Sequence, residues 1–240
     1  MDRPELIIVK TGQAVPEARA DGRDFEHWFA RGLGSDLFDF LTVRVDHGEV
    51  LPPIESLDHS PAILVTGSPA MVSDRLDWSE ATARWLAQAH AAALPILGVC
   101  YGHQLLAHAL GGKVGPNPNG RAMGRVMVDF ADAADPLIGP FAPAAAFNVS
   151  HVEVVLTPPD GARVIGSARH DPYHALFFGN RSWGVQFHPE FDGPIMRAYI
   201  QARSGPLQAE GQDPAALIQD LDDNPNGSAF LARFAELARA

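Results

Sequence analysis

The stretch ILGVCYGHQLLAHALGG, residues 96 to 112, decides the fold. A short apolar run stops at Cys100, and an amphipathic segment that reads as a helix begins immediately after it. A strand that turns this sharply into a helix is the repeating joint of α/β proteins. Gly98 and Gly102 flank the cysteine at minus two and plus two, where side chains would collide with neighbouring backbone, so glycine is the residue that fits. The G-x-C-x-G pattern meets the demands of a nucleophile elbow, which lifts the sulfur clear of the sheet and aims the first free N–H groups of the helix toward it. The same residue also reads as a small hydrophobe at the end of a core strand. Chemistry requires more than the elbow. An ordinary thiol has a pKa near ~8.5, and lowering it by about two units is worth roughly 2.7 kcal/mol. A helix N-terminus supplies only ~0.3–1 kcal/mol of that, so a charged partner is needed.

Working outward, short β-branched runs alternate with longer amphipathic segments. ELIIVKT (5 to 11), FLTVRVD (40 to 46), AILVTG (62 to 67) and PILGVC (95 to 100) read as strands. WSEATARWLAQAHAAA (78 to 93) reads as a helix with Ser79 as N-cap and Trp85, Leu86 and Ala89 on one face. This alternation predicts an α/β fold of three layers, a mostly parallel central sheet flanked by helices. After about residue 113 the character changes. Gly-Pro-Asn-Pro-Asn-Gly (115 to 120) reads as a turn, and RVMVDF (125 to 130), VEVVLT (152 to 157), RVIGSA (163 to 168), HALFFGN (174 to 180) and SWGVQF (182 to 187) predict a smaller, partly antiparallel region. Gly179-Asn-Arg-Ser182 turns a hairpin between the last two. PIMRAYIQARS reads as a helix, and NPNGSAFLARFAELARA closes the chain as another, with Ser228 as N-cap and Phe230, Leu231, Phe234 and Leu237 as its apolar stripe. Residues 1 to 205 are expected to form the main domain, with 206 to 240 a C-terminal helical extension packed on it.

With 240 residues, 46% of them hydrophobic, the chain can enclose a sizeable core. A formal net charge of -11 argues against a phosphate-backbone binder, so nucleic acid is not an expected partner. MDRPELIIVK lacks the form of a signal peptide, and no apolar stretch reaches the roughly 20 residues of a membrane helix. One cysteine cannot form an internal disulfide, which fits a reducing compartment; a cytoplasmic location with no membrane association is expected.

A partner for the sulfur is offered by SWGVQFHPEF, 182 to 191. His188 ends a strand, Pro189 fixes the local backbone, and Glu190 is spaced to hold one ring nitrogen while the other faces a sulfur. A strand-end histidine beside an exposed glutamate is the blander reading. No further ligands stand at recognisable metal spacing, and no cofactor is implied. In His170-Asp171-Pro172-Tyr173-His174, Asp-Pro signals a turn and the histidines are expected to face solvent. Asp129, Asp132 and Asp135 are expected in a solvated loop. Gly32-Leu33-Gly34 lacks the third glycine and preceding strand of a dinucleotide site, and the glycines and lysine of GGKV (111 to 114) form no P-loop.

Together, GVCYGHQ and VQFHPEF resemble the class I glutamine amidotransferase family, the Cys-His-Glu triad type, in its stand-alone form similar to the amidotransferase half of GMP synthetase. The resemblance spans about residues 5 to 200 and implies a flavodoxin-like fold. It implies that Cys100 is the nucleophile toward the side-chain amide of glutamine, His188 the base and then acid, and Glu190 its orienting group. It implies an oxyanion hole from the backbone of Tyr101 and of Gly67-Ser68, although Thr66-Gly67-Ser68-Pro69 stands where relatives show Gly-Gly-Pro. Gln104 matches a substrate contact, and His103 is expected to be structural. Ser150-His151-Val152-Glu153 stands where relatives read Ser-His-Gly-Asp and hold the amino-acid end of the substrate; Val152 for Gly narrows that side. The substrate is then glutamine or another γ-glutamyl compound, and the activity glutamine hydrolysis to glutamate and ammonia. A γ-glutamyl peptidase or hydrolase would use the same triad, and a non-catalytic binding subunit would keep only the fold. With no P-loop in the chain, an ammonia-using synthetase is expected as a separate chain.

Overall fold

The computed structural model describes residues 3 to 57 and 61 to 240. Its first half is built on β1 (Glu5–Lys10), α1 (Phe25–Leu33), β2 (Asp39–Arg44), β3 (Ala62–Val65), α2 (Asp77–Ala91), β4 (Ile96–Val99) and α3 (Tyr101–Ala109). β5 (Lys113–Pro116), β6 (Ala122–Phe130), β7 (Ala144–His151), β8 (Glu153–Thr157), β9 (Arg163–Ala168), β10 (Asp171–Gly179) and β11 (Ser182–Val185) follow. Helices α4 (Gly193–Ala202), α5 (Ser204–Ala209), α6 (Pro214–Gln219) and α7 (Pro225–Ala238) end the chain.

One nine-stranded sheet runs in the order β2-β1-β3-β4-β11-β10-β9-β6-β7, and β5 pairs with β8 in a separate ribbon. β2, β1, β3, β4 and β11 are parallel, and from β11 outward every pairing is antiparallel. The near-continuous apolar runs follow from burial on both faces. In β1, Leu6 and Ile8 enter one core with Phe29 of α1 and Phe230 and Phe234 of α7, whereas Ile7 and Val9 enter a second with Leu86 of α2 and Leu105 of α3. Period-two alternation thus sends successive side chains into opposite helical layers. The central order places β2 and β3 on opposite sides of β1, so consecutive connections diverge there. Beyond the carboxyl ends of the strands, such a divergence opens a crevice for a ligand.

Several local expectations are corrected. α2 starts at Asp77, and Ser79 lies inside it, its hydroxyl sharing a 2.6 Å hydrogen bond with that of Tyr101 instead of capping. α7 is capped by Asn224, whose side chain accepts from the Gly227 N–H, because Pro225 presets the first helical turn; Ser228 is inside the helix. Asp135 is buried, not solvated: its carboxylate accepts from the N–H groups of Leu137 and Ile138 and from the indole of Trp183. The hairpin at Gly179–Ser182 forms, with Gly179, Asn180 and Arg181 all at positive φ. No helix among the described residues is long and apolar enough to cross a membrane.

Candidate active site

The end of β4 carries the turn. Cys100 stands at the N-cap of α3 with φ 53 and ψ -102, a conformation non-glycine residues avoid. Both flanking glycines are required by contact. A Cβ on Gly98 would stand 2.5 Å from the carbonyl oxygen of Gly102, and one on Gly102 would strike the carbonyl oxygen of Val65 in β3. The Cys100 N–H donates to the Val185 carbonyl of β11 at 2.8 Å, and the Gln104 N–H to the Cys100 carbonyl at 3.1 Å. The sulfur is therefore fixed from the sheet and from the helix alike.

His188 follows β11 and pairs with Asn148 of β7, its N–H donating to that residue's carbonyl at 2.8 Å. Its ring stacks on Phe191, centroids 4.0 Å apart, and Nδ1 donates to Glu190 Oε1 at 2.7 Å. Imidazole and carboxylate are both buried, 3% and 4% exposed. Burial, the largest influence, favours neutral imidazole. The charges of Glu190 and Cys100, and hydrogen bonds to both, outweigh it and carry the pKa of His188 up to about 10. The ring is therefore an imidazolium at neutral pH, held between sulfur and carboxylate. Asn224, at the start of α7, donates from Nδ2 to the carbonyls of His188 and Phe191 at 3.2 and 3.0 Å, so the last helix fixes this loop.

The loop after β3 closes the other side. A Cβ on Gly67 would lie 3.0 Å from Cε1 of His188. Thr11 Oγ1 stands 3.0 Å from the carbonyl oxygens of both Thr66 and Gly67, and Ser68 Oγ donates to the Thr11 carbonyl at 2.6 Å. Thr11 and Ser68 thus tie the loop to the end of β1.

A cleft of about 100 Å³ opens on this arrangement. Cys100, His188, Ser68 and Tyr101 line it, as do Gln104, Ser150, Val152 and Glu153. Cys100 Sγ lies 3.8 Å from the Ser150 carbonyl oxygen. Gln104 donates to the Glu153 carbonyl at 2.7 Å and to Gln186 Oε1 at 3.0 Å, joining α3 to the segment after β7. The Glu153 carboxylate turns to Ser73, accepting from its N–H and hydroxyl. Glu190 sits behind His188, and Gly67 against its ring.

Among the lining residues that no sequence pattern marks are Arg121, Arg203 and Tyr199. Arg121 pairs with Glu210 at 3.0 Å. No local pattern marks these positions, since they reach the cleft only when the chain after β5 and the α4–α5 junction fold over it.

His174 corrects another expectation. Asp171 and His174 are buried, Nδ1 of His174 donating to Asp171 Oδ2 at 3.1 Å. β10 passes through the sheet interior, so what reads as a polar turn is a strand end. His103 is also buried, its Nε2 3.0 Å from the Tyr173 carbonyl oxygen, and burial pushes its pKa down to about 4. His151 falls to about 3, through burial first and then the neighbouring His174.

Residues 22 to 202 match the family described as glutamine amidotransferase class-I. The chain is 34% identical over 166 residues to a protein of Natronomonas pharaonis named as one subunit of glutamine-hydrolyzing GMP synthase, covering 69% of this chain and 80% of that protein. It is also 34% identical over 141 residues to the GMP synthase of Porphyromonas gingivalis, covering 57% of this chain but only 26% of that relative's length. Among solved structures, a glutamine amidotransferase from Thermotoga maritima superposes with a TM-score of 0.77 at 18% identity, over 99% of each chain. A glutamine amidotransferase from Methylobacillus flagellatus gives 0.71 at 24% identity, over 99% of this chain and 93% of that one. At such identities these two likenesses concern the fold.

Proposed function

This chain belongs to the class-I glutamine amidotransferase family, and we propose that it hydrolyses the side-chain amide of glutamine through a γ-glutamyl thioester on Cys100. The supporting observation is the buried line from Cys100 through the His188 ring to the Glu190 carboxylate, opening on one small cleft. The thiolate sulfur adds to the γ-carbonyl carbon and its π electrons move onto oxygen. The resulting oxyanion is received by backbone N–H groups at Tyr101 and the Gly67-Ser68 loop, each such donor being worth about 10²–10³ in rate. His188 gives its proton to the amide nitrogen, the C–N bond breaks, and ammonia leaves. Water then gives a proton to the neutral imidazole and its oxygen adds to the thioester; the C–S bond breaks, releasing glutamate and the thiolate. Glu190 remains a carboxylate throughout, holding Nδ1–H so that the other nitrogen faces the reacting atoms. Ammonia passes to an acceptor on a separate synthetase chain, the reading favoured by the Natronomonas relative, whose name makes it one subunit of a synthase, and a reducing, cytoplasmic setting keeps the sole thiol available.

A second reading, hydrolysis of γ-glutamyl peptides, is favoured by Arg203 on the cleft wall, whose guanidinium suits a leaving group bearing a carboxylate, while the neighbouring Arg121 is paired with Glu210. Steady-state assays decide between the two. Purified protein is expected to release glutamate and ammonia from glutamine, Cys100→Ser to lose this by roughly 10⁴-fold or more, and cell extract to stimulate it. Turnover of γ-glutamyl dipeptides well above that of glutamine would move the assignment to the second reading. Absence of turnover on either would refute the enzymatic one.

A further inference from the structure

At the cleft wall, which it helps to line, His151 at the end of β7 meets Asp171 and His174 of β10. They are 6%, 1% and 1% exposed, and one donor atom from each lies within 4.8 Å of the other two. Nδ1 of His151 is 3.1 Å from the Glu153 carbonyl oxygen, which only accepts, so that nitrogen carries the proton. Its Nε2 is then a bare acceptor and has no hydrogen-bond partner among the described residues. Buried acceptors as a rule find donors. Nδ1 of His174 stands 3.1 Å from Asp171 Oδ2, so this nitrogen, once it has given up its proton, and the carboxylate can face one ion together with His151 Nε2. A cation there satisfies all three at once. An imidazole whose far N–H is held by a carbonyl, as in His151, is in the arrangement that orients metal ligands.

We propose that His151, Asp171 and His174 bind a divalent transition metal, and the two-nitrogen, one-oxygen donor set favours zinc with water in the fourth position. Ligands on a tetrahedral zinc stand about 3.4 Å apart, so the cluster must draw in by about 1.4 Å at most. The chain has room to do so, because the register of β10 against β9 slips between Asp171 and Ala175. The ion would pin the strand bearing Ser150, whose carbonyl faces the catalytic sulfur, to the neighbouring part of the sheet.

The test uses the full chain carrying Cys100→Ser, which removes the sole thiol as a competing metal ligand. Metal content is measured by plasma mass spectrometry as purified, after chelator treatment, and after return of zinc alone; cobalt substitution reports geometry by its visible absorption. One equivalent of zinc, a tetrahedral cobalt spectrum, and loss of both in His174→Gln are expected. Asp171→Asn, with folding checked by circular dichroism, provides a second variant should His174→Gln fail to fold. No zinc bound at micromolar concentration by the Cys100→Ser protein, or binding undiminished in a folded variant, would overturn the site and show a hydrogen-bonded cluster without an ion. Neither result bears on glutamine hydrolysis, which is measured separately.

Discussion

His188 shows how a single residue's environment reverses its ordinary tendency. Burial favours the neutral ring, yet the Glu190 carboxylate and the Cys100 sulfur raise its pKa to about 10 from the ordinary value of 6.5. A folded-state pKa above the unfolded one means that the native state binds the proton more tightly. The stabilisation is complete below pH 6.5 and is lost as pH rises toward 10. Calorimetric unfolding is expected to show a midpoint that declines across this range, with Glu190→Gln flattening the decline. Equal pH dependence in both proteins would contradict the ion-pair account. The pairing itself was legible in the sequence, because a His-Pro-Glu spacing sets imidazole and carboxylate on one short, stiff segment.

At the scale of elements, the elbow stands or falls on two missing side chains. Gly102→Ala forces a methyl into the Val65 carbonyl, a backbone contact that no rotamer change relieves. A loss of about 1–3 kcal/mol of stability is expected by denaturant titration, together with a larger loss of activity than of stability, because the strain falls on Cys100. Capping offers a sharper comparison. Asn224→Ala removes the true N-cap of α7 and is expected to cost about 0.5–2 kcal/mol, whereas Ser228→Ala, on the exposed side of the helix, should stay within about 0.5 kcal/mol. Sequence reading placed most strands and the long helices, and its omissions have physical causes. FEHWFARGL forms α1 behind an Asp24 cap that carries no usual sequence signature, because the capping box is closed by His27 where the usual pattern has Glu or Gln. AAAFNVSH carries little β-propensity, yet it becomes β7 through eight paired residues along β6.

Across the whole molecule, the C-terminal segment is joined to the candidate site. Phe230 and Phe234 of α7 enter the same core as β1 and α1, while Asn224 holds the carbonyls of His188 and Phe191. Phe230→Ala, at a fully buried position, is expected to reduce stability by about 3–5 kcal/mol in chemical denaturation while the folded fraction keeps its kcat. Asn224→Ala is expected to lower kcat more than its modest stability cost explains, by releasing the loop that carries the imidazole. Unchanged kcat in that variant would show that Pro189 and the pairing with Asn148 position the ring without help from α7.

By itself the sequence determined what is set by neighbours along the chain: the elbow around Cys100, demanded by glycines two residues to either side, and the His188-Glu190 pair. It also determined β1, β3 and β4 of the parallel half of the sheet, because strands buried on both faces must be apolar. Only the tertiary structure decided what lies between distant segments. It brought Arg121 and Arg203 to the cleft, buried Asp171 and His174 beside His151, and placed Asn224 against the loop that carries His188. Burial and side-chain direction depend on which strands become neighbours, and a local pattern carries no record of that.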